Sequence, residues 1–413
     1  MWLFEIKKIQ KSILALDHYN WFGFDNERIK RELKSLGVDY HQFNVSESWS
    51  SSNIEYLDSE SLYQAIIYTV CNELELVPED VSLANPEHFD VYCRLAHIAK
   101  NCADYVVNKI RELNITKILI PQGYVLEAAV CRLLAAKMSL PILAIENTLS
   151  KEKLLWENIS GTTVNVNLSK NYYYKYAPLT SFEVATEYVQ RYLLNVRSLK
   201  AVEHSTPAYS AVRISDSKKI VLFLGQVYVD SSVLFGINRF ASQVSIIEYL
   251  CDYCYKNNYK LIVKLHPKEI RGKSIVNKPL NKMTWRKLCD SNNFMSKYNN
   301  NSEIIIDHEN KYDTYMLIEQ ANVCVTINSM SGLEALTIGK KVITCGHSCY
   351  GGLGFTSDAH DYKDLNYFLD KNLSCEGNDS SHYQEDVVKF FYIYLNLYCV
   401  GKNESELVRL LAS

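Results

Sequence analysis

The stretch "VTINSMSGLEALTIGKKVITCG", residues 325–346, opens on a β-branched run, breaks at a polar turn, continues with apolar residues at helical spacing and closes on a second β-branched run. A short β-branched run that gives way to a helical period and then returns marks a βαβ crossover between parallel strands. Such a crossover is needed because parallel neighbours cannot be joined by a tight hairpin. Both runs are apolar at successive positions rather than alternate ones, so the sheet is predicted to be covered on both faces.

The same grammar extends upstream. "KIVLFLGQ" predicts a buried strand, "INRFASQVSIIEYLCDYCYKNN" a helix, "YKLIVKLHP" and "EIIIDH" two more strands, and "TYMLIEQA" a helix. Residues 206–385 are therefore expected to form a doubly wound α/β domain. The first half repeats the pattern less regularly, with strands predicted at "SILALDHY", "VDYHQFN", "TKILIPQG" and "LPILAIEN" and helices between them. That predicts a second Rossmann-like domain over residues 1–205, with a linker in the polar stretch 198–219. The helical run "DVVKFFYIYLNLYCV" places residues 386–413 as a segment that packs back on the N-terminal domain. Open α/β sheets bind ligands at the carboxyl ends of their strands, so the expected site is a cleft between the two domains.

Composition narrows the function classes. The chain has 413 residues, more than one core usually fills, and its 44 basic residues against 47 acidic ones leave a net charge of -3. No global field draws nucleic acid, and any anion site must be local. Twelve cysteines are mostly scattered singly through apolar segments, which fits free thiols in a reducing, cytoplasmic setting. Cys251 and Cys254 form an isolated C-x-x-C inside a helical run with no partner pair at zinc spacing, so packing is expected there rather than a metal. No stretch approaches the roughly 20 apolar residues of a membrane span.

Three motifs carry chemistry. In the opening stretch Ser329, Ser331 and Gly332 follow Asn328 at a helix start, where unpaired N–H groups and hydroxyls suit a phosphate and a glycine lets it approach; Glu334 could take a ribose diol. The bland alternative has Ser331 as a helix cap and Glu334 as a complement to the helix dipole. "LIVKLHPKE" ends a strand with Lys264, His266, Pro267 and Lys268, cations and an imidazole at the same edge; the alternative is a capped strand end with solvated lysines. "LFLGQVYVDSS" puts Gln226 and Asp230 in the first loop of the domain, and Gln226 and Asn328 are expected among the residues that meet the donor. An acid there repels a diphosphate but suits a donor with one phosphate and a reaction that uses a nucleophile, unless Asp230 is a plain N-cap.

"GQVYVDSS", "KLHPKE" and "NSMSGLEALTIGKKVITCG" resemble, in this order over residues 220–357, the blocks of the retaining β-Kdo transferases of bacterial capsule and O-antigen synthesis, the KpsC-, KpsS- and WbbB-like enzymes. The resemblance is weaker over the first half. It implies a two-domain GT-B architecture, CMP-β-Kdo as donor, a lipid-linked glycan as acceptor and no metal cofactor. His266, Ser329 and Ser331 would hold the CMP phosphate, Glu334 the ribose, and Lys264 and Lys268 the phosphate or the Kdo carboxylate. Asp230 would form a covalent Kdo adduct that the acceptor opens, so two inversions retain the β configuration. The acceptor then needs a base, with Glu157 in "LLWENISG" preferred to Glu127 and Glu146. "NYYYKYAP", Tyr172 to Pro178, is read as a tyrosine-rich strand edge, with sugar stacking as the alternative. The rivals are a CMP-sialic acid-type inverting transferase, a UDP-sugar enzyme, which the acidic first loop disfavours, and a non-catalytic nucleotide- or glycan-binding protein. Such an enzyme would be cytoplasmic, touching the inner membrane peripherally if at all.

Overall fold

The computed structural model describes residues 11–17, 22–44, 56–148, 150, 152–164, 167–203, 218–299, 301–374 and 381–413. Among these the strands are β1 (Lys11–Asp17), β2 (Val38–Asn44), β3 (Lys117–Pro121), β4 (Ile142–Asn147), β5 (Lys153–Glu157), β6 (Ile220–Leu224), β7 (Lys260–Lys264), β8 (Ile304–Asp307), β9 (Val323–Thr326), β10 (Lys341–Thr344), β11 (Ser357–Asp358) and β12 (Val400–Gly401). They build two six-stranded sheets, ordered β12-β5-β4-β3-β1-β2 and β11-β10-β9-β6-β7-β8. This is the two-domain Rossmann-like α/β class that the strand–helix alternation predicts.

The chain forms two compact units. Unit 1 comprises Met1–Val70, Ser82–Asn165 and Cys399–Ser413; unit 2 comprises Cys71–Val81 and Val166–Tyr398. These limits differ from the expected cut at 205/206, and packing explains why. Helix Phe182–Glu203 pairs its rings with helix Ser381–Ile393: Tyr188 lies edge-on to Tyr392 at 5.5 Å and Tyr192 to Phe391 at 4.9 Å. That aromatic seam ties residues upstream of the expected linker to unit 2. Part of the linker, residues 204–217, lies outside the described residues. At the other end, residues 399–413 do join unit 1: β12 pairs antiparallel with β5, and Leu407, Val408 and Leu411 enter the core formed by Ile13, Ile29, Leu33 and Leu119. Helix Ser381–Ile393, expected to go with them in part, stays in unit 2.

In unit 1 the pairs β4–β3, β3–β1 and β1–β2 are parallel, while β5 and β12 add an antiparallel margin. In unit 2 every pair is parallel. Its central strands have apolar middles, with Val221, Leu222, Phe223, Leu261, Ile262, Val263, Val323, Cys324 and Val325 at 0% exposure, as a sheet covered by helices on both faces demands. Counted along the chain, the strand order of unit 2 is 3-2-1-4-5-6, and the winding reverses between β6 and β9. At such a switch point loops leave in opposite directions and open a crevice at the carboxyl edge.

"NYYYKYAP" forms no strand edge. Asn167–Tyr176 is a helix in which Tyr172 and Tyr176, four residues apart, pair at 5.7 Å, and Tyr173 is buried against Phe355 and Phe390. A run of tyrosines has no period of its own, so only the partners on other helices select the conformation.

Candidate functional site

Register aligns the three motif loops of unit 2. Leu224 at the end of β6 pairs with Lys264 at the end of β7 and with Thr326 at the end of β9. Loops that begin after these residues therefore leave one edge of three adjacent strands spaced about 4.8 Å apart.

The first loop is built by side-chain amides. Gln226, buried, donates its backbone N–H to Gln243 Oε1 at 2.7 Å, and Gln243 Nε2 returns a bond to the Gln226 carbonyl at 2.9 Å. The Gln226 side chain then turns to β9: Nε2 donates to Asn328 Oδ1 at 2.8 Å and to Ser232 Oγ at 3.1 Å, while Oε1 accepts the Asn328 N–H at 3.1 Å. Asn328 Nδ2 donates to the Ser232 carbonyl at 2.7 Å, a contact that exists because residue 236 is glycine; a Cβ there would stand 2.5 Å from that nitrogen. Gln226 and Asn328, both expected to meet a ligand, are thus the struts that join the first loop to the serine turn.

Asp230 ends that network. It is the N-cap of the four-residue helix Ser231–Leu234, the plain role set against the chemical one, and its Oδ1 accepts from Ser232 N–H at 2.9 Å and Ser232 Oγ at 2.7 Å. Oδ2 takes no hydrogen bond among the described residues, and the residue is partly exposed. A chain Asp230–Ser232–Gln226–Asn328 therefore holds one carboxylate oxygen and leaves the second for something else. On the far side of the loop Asn72 donates to the Val229 carbonyl at 3.2 Å, and Glu269 accepts the Tyr228 N–H at 2.9 Å.

Glu269 was not singled out by sequence, although it sits in "HPKE". It is 1% exposed, and it accepts from Thr284 N–H at 3.0 Å and Thr284 Oγ1 at 2.8 Å as well as from Tyr228. Burial pushes its carboxyl above the ordinary range, against the pull of those donors. His266, half-buried just before it, accepts the Lys268 N–H on Nδ1 at 3.1 Å. A backbone amide can only donate, so Nδ1 is the lone-pair nitrogen and Nε2 carries the ring proton. The ring is thereby set as a donor through Nε2. Lys268 is exposed on the short helix Lys268–Arg271.

Lys264 does not join this site. It is 3% exposed, and its ammonium donates to Asp307 Oδ2 at 2.7 Å, to the Tyr312 carbonyl at 2.6 Å and to Asn310 Oδ1. Three donors meet three acceptors, so none is left for a phosphate or a sugar carboxylate. The expected role is corrected on that ground: Lys264 is one half of a buried ion pair between the ends of β7 and β8, and burial pulls its pKa down.

The serine turn is partly as expected. β9 ends at Thr326, and Ser329, not Ser331, caps helix Met330–Thr337, its Oγ accepting the Ser331 N–H at 3.3 Å. Ser331 Oγ and the Met330 N–H make no hydrogen bond among the described residues. Gly332 is needed for a different reason than the expected ligand approach. A Cβ there would lie 2.3 Å from Tyr350 Oη, and that hydroxyl donates to the Ser329 carbonyl, so the glycine admits a phenol that braces the turn. Glu334, 2% exposed, has Oε1 accepting from Tyr315 Oη at 2.8 Å, which places the expected ribose ligand inside the packing.

Unit 1 treats its acids differently. Glu157 at the end of β5 has 0% exposure, and its oxygens accept from the N–H groups of Ile159, Ser160, Gly161 and Thr162 at 2.6–3.2 Å. It is the anion that folds its own loop and cannot reach an acceptor, which corrects the preferred base. Glu127 is buried on helix Leu126–Lys137, its carboxyl raised by burial. Glu146, at the end of β4 and half-buried, accepts from Gln122 Nε2 at 2.7 Å and from Thr163 Oγ1. Cys251 and Cys254 are buried in helix Gln243–Lys256, their thiols pushed up by burial, and act there as packing groups. Among the described residues no helix is long and apolar enough to cross a membrane.

Comparison with known proteins adds the family. Residues 147–367 match the family model described as capsule polysaccharide biosynthesis protein. Among solved structures the chain is similar to the β-Kdo 2,4 transferase of Thermosulfurimonas dismutans KpsC, with 16% identity, 72% of this chain and 88% of that one covered, and a TM-score of 0.46. It is also similar to the β-Kdo 2,7 transferase of the same KpsC, at 16% identity, 97% and 99% coverage and a TM-score of 0.43, and to UDP-GlcNAc 2-epimerase from Neisseria meningitidis, at 9%, 97% and 98%, with a TM-score of 0.31. Among curated proteins, Protein FixF of Sinorhizobium fredii is 60% identical over 37 residues, a segment that spans 9% of each chain. The matched model covers more than half of the sequence and includes all three motif loops, so this chain belongs to the capsule polysaccharide biosynthesis protein family.

Proposed function

We propose that the chain is a retaining glycosyltransferase that moves Kdo from CMP-β-Kdo to a lipid-linked glycan acceptor in bacterial capsule or O-antigen synthesis. The observation that carries the reading is the hydrogen-bond chain from Asp230 through Ser232 and Gln226 to Asn328, which ties a half-committed carboxylate to the serine turn at the switch point of unit 2. Asp230 Oδ2 attacks the anomeric carbon, and the bond from that carbon to the phosphate oxygen breaks, CMP leaving with the electron pair. The Met330 N–H, Ser331 Oγ, His266 Nε2–H and the exposed Lys268 ammonium are the donors for the departing phosphate. No metal is used in this scheme. The acceptor oxygen then displaces Asp230 from the same carbon and gives up its proton to a base. Glu157 and Glu127, committed to packing, do not supply that base.

The test is a covalent one. Wild-type protein incubated with CMP-Kdo should release CMP and gain one Kdo in its intact mass; Asp230→Ala should gain none and turn over at least 1000-fold more slowly, as loss of a nucleophile entails. Full turnover by Asp230→Ala with no adduct on the wild type would remove the double displacement.

A further inference from the structure

Removal of Lys264 from the site leaves the question of which cation meets the acidic sugar. Lys170 answers it from an unexpected part of the sequence. It lies on helix Asn167–Tyr176, in unit 2, although its position falls in the half assigned to the other domain. Its Nζ sits 3.6 Å from the point where a Cβ would stand on Gly352, whose φ of +70° already favours glycine. The ammonium is half-buried, and burial pulls its pKa down while Asp358 and the Cys349 thiol oppose that shift. Among the described residues it makes no hydrogen bond or ion pair.

Asp358, the acid within its reach, is already engaged. Oδ1 accepts from Thr344 Oγ1 at 2.6 Å and Thr356 Oγ1 at 2.7 Å, and Oδ2 accepts the Gly352 N–H at 2.8 Å. A second polar group lies in the same loop: Ser348, 2% exposed, has a buried hydroxyl with no hydrogen-bond partner. The loop also abuts the serine turn, since Tyr350 donates to the Ser329 carbonyl and Cys349 Sγ lies 3.6 Å from Met330 Sδ. A half-buried cation whose neighbouring acid, Asp358, stands beyond ion-pair distance gains from an anion that reaches it directly. The phosphate has its own donors at Ser331 and His266, and Lys170 meets this edge on the Cys349 side.

We propose that Lys170 receives the carboxylate of the donor sugar, with the glycines at 351 and 352 keeping the approach free of side chains and Ser348 Oγ as a neutral donor that turns toward the bound anion. This rests on the reading of the donor as CMP-Kdo, and makes Lys170 the residue that selects an acidic sugar over a neutral one.

Affinities for CMP and for CMP-Kdo, measured by calorimetry on Asp230→Ala protein to prevent turnover, test it. Lys170→Met should weaken CMP-Kdo binding roughly 10- to 100-fold, the range of one charge-assisted hydrogen bond, and leave CMP within about 2-fold; Lys170→Gln, which keeps a polar end without the charge, should behave alike. Unchanged CMP-Kdo affinity in both variants, or an equal loss for CMP, overturns the assignment while the donor reading stands. If the protein with Lys170 intact binds neither compound, the donor reading itself fails and takes this inference with it.

Discussion

Glu157 and Asp230 are both carboxylates, one in each unit, and both accept hydrogen bonds from residues just downstream. They differ in how completely they are used. Glu157 is sealed from solvent with four backbone amides on its two oxygens. Asp230 is partly exposed, and its bonds come from a single serine onto a single oxygen. An acid with every lone pair engaged inside the protein builds the fold; an acid with one oxygen uncommitted can react. The same contrast separates Lys264, whose three donors are spent, from Lys170, whose donors are not.

The comparison can be broken by exchanging the two phenotypes. Asp230→Ala should lower turnover by 1000-fold or more while costing only the roughly 1 kcal/mol of a lost N-cap in stability. Glu157→Ala should do the reverse, costing about 2–4 kcal/mol as four loop amides, that of Gly161 buried, lose their acceptor, with turnover per folded molecule retained. Urea unfolding beside a Kdo-transfer assay reads both, and a stable but inactive Glu157→Ala protein would restore it as a catalytic residue. Lys264→Met should cost about 3 kcal/mol by stranding Asp307 in the interior, and the double variant Lys264→Met, Asp307→Asn, which removes the charge and keeps an acceptor for the Lys311 and Tyr312 N–H groups, should recover part of it; no recovery would show that the unpaired charge is not the source of the loss. Gly332→Ala should cost about 1–3 kcal/mol from the clash with Tyr350, and Tyr350→Phe should relieve part of that in a double-mutant cycle.

The smallest effect is on pH dependence. Burial raises the Glu127 carboxyl above its unfolded value. The folded state therefore holds that proton more tightly, so stability falls as pH rises from the unfolded pKa through the folded one, and the loss is complete above it. Glu127→Gln should flatten that fall in the window just above the ordinary carboxylate range. Denaturation midpoints measured across it, with no change in slope, would place the carboxyl in solvent.

Fold class and motif order were legible because they are local. The apolar runs at 220–224, 260–264 and 323–326 and the turns after them are written in consecutive residues, and sheet register then brings the three loops to one edge. The same nearness explains why Asp230 reads as either cap or nucleophile: both roles use the residues beside it. Partnerships across long separations left no trace. Nothing in "LIVKLHPKE" says that Lys264 points to Asp307 while its neighbours face the edge, and nothing near Gly332 announces Tyr350.

What the sequence determined by itself is the doubly wound α/β architecture and the strand ends from which the motif loops leave, because hydrophobic period and turn chemistry act over a few residues. What only the tertiary structure decided is which charges remain available. That depends on burial and on the count of donors and acceptors contributed by distant segments, and it moved Glu157 and Lys264 into the fold while leaving Asp230 and Lys170 with capacity to spare.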